Sequence, residues 1–126
     1  MDMSLSQNRK FKTYLFFSII WTFIIIYLLI FFKPSNAKNI DVMFIDKIIH
    51  FSLFFIESYL VTKCFKLSKI NSKKSLIIIL IPLVIFSIMI EVIQVYLPFR
   101  SYDLLDLSAN VLGFFIGSFI AIFFGN

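Results

Sequence analysis

His50 is the single histidine of the chain, and Asp46 stands one helical turn before it. An imidazole beside a carboxylate is the pairing from which acid–base chemistry near neutral pH is built. Glu91 adds a third titratable group, and these three are the candidate catalytic residues. Lys47, Gln94, Arg100, Asp103, Asp106 and Asn110 are of the types that hold a polar or anionic ligand. Lys47 and Arg100 suit a phosphate or carboxylate; interfacial snorkelling, or pairing with Asp103, is the plainer reading of both. His50 also has a plainer reading, as an interior histidine that keeps helices in register. Asp46, His50, Glu91 and Asp106 are oxygen and nitrogen ligand types, but a metal site is not expected, because there is no second histidine and no local motif such as HExxH. No cofactor is implied.

Composition decides which elements must position these residues. Of 126 residues, 60% are hydrophobic and 19% aromatic, more apolar surface than a soluble domain of this size can hide in one core. The apolar residues fall in unbroken runs, not in the alternation of a lipid-facing barrel strand. The expected fold is all-α, a polytopic membrane protein. Its four transmembrane helices are expected over about 14–32, 48–65, 76–97 and 104–124, each near the ~20 residues that cross a bilayer. Residues 1–13 form a short N-terminal segment, and 14–126 the helical domain. Ser35-Asn36-Ala37 resembles a signal cleavage site. An uncleaved anchor is favoured, since the first run exceeds the ~7–15 residues of a signal core.

Orientation follows from lysine and arginine. Arg9, Lys10, Lys12, Lys63, Lys66, Lys69, Lys73 and Lys74 gather on one side, against Lys33, Lys38, Lys47 and Arg100 on the other. Both termini are therefore expected in the cytoplasm, with the candidate site facing outward. The net charge of +5 reads as this topology signal and not as a nucleic-acid surface. Cys64, between Lys63 and Lys66, is read as a small apolar residue, with palmitoylation as the alternative.

An ionisable side chain inside a bilayer costs on the order of 3 kcal/mol, so each needs a partner or a task. Glu91 lies six residues before Leu97 and Asn110 six after Leu104, which puts both ~9 Å below the same surface, where they can meet. Asp46, His50 and Glu57 share one helical stripe, and Asp106, Asn110, Gly113 and Gly117 another. Both stripes should face the bundle interior. Gly113 and Gly117 form a small-xxx-small pair for helix packing, with homodimerisation through the same face as the competitor. Glu57 is read as a hydrogen-bonded core residue, with a proton relay as the alternative.

The set Asp46-Lys47-x-x-His50-Phe51, Glu91-x-x-Gln94, Pro98, Arg100, Asp103, Asp106, Asn110, Gly113 and Gly117 resembles, in order and spacing, the VanZ-like family of bacterial membrane proteins. The resemblance implies a small multi-pass protein of the bacterial plasma membrane. The family is named for a member associated with low-level resistance to the glycopeptide teicoplanin. It assigns no catalytic role to a single residue. The expected partners are the lipid bilayer and an outer-leaflet lipid, a cell-wall precursor or a glycopeptide, with a second copy of the chain as a further candidate. Three rivals follow from the residues themselves. One is an enzyme acting on a lipid-linked or cell-wall substrate, with His50 as base and Asp46 orienting it. The others are a non-enzymatic binding scaffold and, with Glu57 and His50 on one stripe, a proton-coupled transporter.

Overall fold

The computed structural model describes residues 4–32, 40–68 and 72–124. Helix α1 spans Leu5–Ile26 and runs on through a π-helical turn, Tyr27–Phe31; α2 spans Ile40–Leu67, α3 Ser72–Val95 and α4 Leu104–Phe123. All four are long and apolar enough to cross a membrane. The Ser35-Asn36-Ala37 segment, Lys33, Lys38 and Lys69 lie outside the described residues.

Two helices start earlier than their apolar runs. Ser4 accepts a hydrogen bond from the Gln7 N–H while the Gln7 side chain accepts one from the Ser4 N–H. This reciprocal cap carries α1 out through the polar residues before Tyr14. Helix α2 likewise begins eight residues before Ile48. Helix α3 ends at Val95, just ahead of Pro98, and α4 starts at Leu104 under an Asp103 cap whose Oδ1 accepts the Leu105 N–H at 2.8 Å.

Contacts at the two ends fix the up-and-down arrangement. At one end Cys64 Sγ lies 4.0 Å from the Phe11 carbonyl, and Lys66 Nζ donates to the Ile122 carbonyl at 3.1 Å. The start of α1 and the ends of α2 and α4 therefore meet there. Arg9, Lys10, Lys63 and Lys66 line a cleft of about 660 Å³ at this end. Cys64 is buried against α1, in keeping with its reading as a small apolar residue. At the other end Gln94 Nε2 donates to the Leu29 carbonyl at 2.8 Å, tying α3 to the π turn of α1.

Helix α2 is the central element, packed along α4 and flanked by α1 and α3. The α2–α4 approach depends on missing side chains. A Cβ on Gly113 would stand 2.6 Å from the Phe51 carbonyl oxygen, and one on Gly117 would overlap the Phe55 carbonyl and come within 2.6 Å of Ser58 Oγ. Ser58 then donates to the Phe114 carbonyl at 2.7 Å, and Thr62 to Ser118 at 3.1 Å. The glycine face is covered by α2, so it is not open to a second copy of the chain.

Candidate functional site

The polar end is built in two layers. The upper one consists of ion pairs between α2 and the α3–α4 connection. Lys47 Nζ donates to Asp103 Oδ2 at 2.6 Å and to Asp106 Oδ1 at 3.0 Å. Arg100 Nη1 donates to both Asp46 oxygens, at 2.9 and 3.1 Å. Lys47, Asp46 and Asp103 remain partly exposed, whereas Asp106 and Arg100 are nearly covered. The Lys47 ammonium holds the Asp103 carboxyl below the usual carboxylate range, burial opposes this, and the Leu105 N–H reinforces it. These groups, with Gln94 and Phe99, line a cavity of about 110 Å³.

The lower layer is fully buried. His50, Glu91 and Asn110 have no solvent exposure and come from α2, α3 and α4 respectively. Asn110 Nδ2 donates to Ser87 Oγ at 3.0 Å, which turns its carbonyl Oδ1 toward His50 Nδ1, also at 3.0 Å. An acceptor there requires a ring proton on Nδ1 and, in the neutral imidazole, leaves Nε2 with a bare lone pair. Among the described residues Nε2 has no hydrogen-bond partner. Glu91 Oε1 lies 3.7 Å from His50 Nδ1, beyond hydrogen-bond reach. The Asp103 backbone N–H approaches Glu91 without meeting hydrogen-bond geometry, so neither carboxyl oxygen is satisfied among the described residues. One ligand atom each from Asp46, His50 and Asp106 lie within 4.8 Å of one another.

The predicted groups thus do gather, with one correction. Asn110, not Asp46, orients His50; Asp46 is taken by Arg100. Lys47 and Arg100 are neutralised by carboxylates of the chain itself, the plainer of their two readings. Glu57 is a buried, hydrogen-bonded core residue, the favoured of its two readings. Ser18 and Thr22 of α1 donate to its Oε1 at 2.8 and 3.1 Å. Gln94 lines the cavity but spends its amide on Leu29. Ser87 was not visible as a site residue, although it follows Ile79 and Leu83 and precedes Ile90 and Gln94 on the buried stripe of α3. That stripe was the available signal.

The model of the VanZ/LLP1 family matches residues 2–125. No curated protein and no solved structure matches the chain.

Proposed function

We propose, from the premise that the chain belongs to the VanZ/LLP1 family, that it is a multi-pass protein of the bacterial plasma membrane that lowers glycopeptide susceptibility through its polar cavity. The observation that carries the reading is the convergence of three helices on His50, buried beneath the ion-paired residues that line the cavity and with its Nε2 unpartnered among the described residues. A purely structural histidine in a membrane bundle would be expected to have both ring nitrogens engaged. The basic residues at the opposite end support a cytoplasmic placement for that end, which turns the cavity toward the outer leaflet.

Size narrows what the cavity takes. At about 110 Å³ it falls well short of the ~300–1,000 Å³ of sites that enclose drug-sized ligands. A glycopeptide does not enter it. An ion, or one charged group of an envelope lipid or cell-wall precursor, does. The protein therefore acts on the target side of the antibiotic's encounter with the envelope, not as a receptor for the drug.

The test is teicoplanin susceptibility of a sensitive Gram-positive host expressing the wild-type chain, His50→Ala or Asp106→Asn, at matched membrane levels. The wild type is expected to raise the inhibitory concentration and both substitutions to abolish the rise. A wild-type chain without effect removes the glycopeptide reading. A rise that survives both substitutions removes the cavity from it.

A further inference from the structure

The mouth and floor of the site contain four carboxylates, Asp46, Glu91, Asp103 and Asp106, against two permanent cations, Lys47 and Arg100. With His50 neutral, the formal surplus is two negative charges. Uncompensated charge in a bundle interior is strongly disfavoured, so something must neutralise it. Two protons or one divalent cation would do so.

Geometry separates these. The Asn110 carbonyl holds the proton on Nδ1, and the opposite nitrogen is buried, unpartnered among the described residues and bare. Protons on the Glu91 and Asp106 carboxyls would neutralise the charge but leave Nε2 without a partner, whereas a cation engages it. Asp46 and Asp106 stand around the imidazole with ligand atoms no more than 4.8 Å apart. Donors ~2.1 Å from one tetrahedral ion stand ~3.4 Å apart, so side-chain adjustments of up to ~1.4 Å per pair would close the three onto one centre. The Nδ1–H to Asn110 contact is also the kind of outer-shell bond that ligating histidines make. Glu91, buried with both oxygens unsatisfied among the described residues, adds negative potential beside that centre.

We propose that His50 Nε2 and the carboxylates of Asp46 and Asp106 bind one divalent transition-metal ion of the Mn²⁺ or Zn²⁺ class. One imidazole with two carboxylates suits these ions, whereas Mg²⁺ and Ca²⁺ prefer all-oxygen sites. Cys64 lies at the opposite end of the bundle, so no thiolate competes to select a softer metal. Lys47 and Arg100 are rivals for the same carboxylates and set a limit on affinity. This assigns a ligand to the cluster on which the functional reading rests, but it is tested without reference to susceptibility.

The experiment uses the full chain, tag removed, stripped with chelator and held in lipid nanodiscs, titrated with Mn²⁺ by electron paramagnetic resonance and with Zn²⁺ by equilibrium dialysis. Uptake of about one ion per chain is expected, weakened at least ~10-fold by His50→Gln and by Asp106→Asn and unchanged by the remote Glu57→Gln. In wild-type protein carrying ¹⁵N-labelled histidine, Zn²⁺ should move the Nε2 resonance far more than Nδ1, a readout that needs no variant to fold. No stoichiometric uptake by a helical, monodisperse wild-type chain overturns the site, and protons then neutralise it. Uptake equal in wild type, His50→Gln and Asp106→Asn overturns it as well. Metal binding by a chain that leaves teicoplanin susceptibility unchanged upholds the site and removes only the glycopeptide reading.

Discussion

His50 Nδ1 and Asn110 Oδ1 lie 3.0 Å apart across the α2–α4 interface, and the direction of that bond is set one step further away, where Asn110 Nδ2 donates to Ser87 Oγ. Because the chain has one histidine, the consequence is directly measurable. Ring ¹⁵N spectra of metal-free protein should show the proton on Nδ1, the tautomer that is the less common one in solution. Ser87→Ala releases the amide and should shift the population toward Nε2–H. A wild-type spectrum already dominated by Nε2–H would contradict the assigned direction of the Asn110 amide.

The α2–α4 contact predicts an unusual cost for a mild substitution. Alanine is favoured over glycine in a helix by ~1 kcal/mol, yet a Cβ at position 117 meets the Phe55 backbone, which cannot rotate away. Forced overpacking costs about 1–3 kcal/mol, so Gly117→Ala should be net destabilising. Ser108→Ala, on the exposed side of the same helix, should stay within ~0.5 kcal/mol of wild type. Unfolding by denaturant in matched micelles decides it, and equal midpoints for the two variants would count against the close approach.

Much of this architecture is legible in the sequence, for a physical reason: the bilayer imposes length and hydrophobicity on each span, and glycine and acidic stripes survive inside long apolar runs. Asp106, Asn110, Gly113 and Gly117 are read onto one face and found on one face. Helix starts are less legible, because hydropathy senses where hydrocarbon ends and not where hydrogen bonding ends; the Ser4 cap and the first turns of α2 lie beyond it. Small hydroxyls are the least legible. Ser18, Thr22, Ser58, Thr62 and Ser118 interrupt no apolar run, and a helical Ser or Thr can return its proton to its own backbone, as Thr22 does to the Ser18 carbonyl at 3.0 Å. Their spacing does not reveal that Ser18 and Thr22 would claim Glu57 from the His50 stripe.

The Lys47–Asp103 pair fixes the sign of a pH effect. A carboxyl whose folded-state value lies below its unfolded one stabilises the fold at all pH above the unfolded value, near ~3.9 for Asp, and loses that contribution as pH falls through the folded value. Asp103 is displaced in that direction by the Lys47 ammonium. Asp103→Asn keeps a cap for the Leu105 N–H but removes the charge. The variant should therefore melt below wild type by a constant margin from neutral pH down to about 5, with the margin closing only below about 4. A margin that closes between neutrality and pH 5 would show that Lys47 does not hold Asp103 in this way.

Orientation in the membrane gives the last prediction. Arg9, Lys10, Lys63 and Lys66 share one end of the bundle, and moving four positive charges outward would oppose the charge bias that sets topology. Cys64 is the chain's one cysteine, so Cys64→Ala supplies a clean background. Into it go Ser6→Cys, at the exposed start of α1, or Ser101→Cys, exposed in the connection above the cavity. On intact cells a membrane-impermeant maleimide should label the Ser101→Cys chain, and label the Ser6→Cys chain only after the cells are opened. The reverse pattern would turn the cavity toward the cytoplasm, away from the surface on which glycopeptides act. The proposed function would then fail, while the His50 cluster and its metal chemistry would stand unchanged on the other side of the membrane.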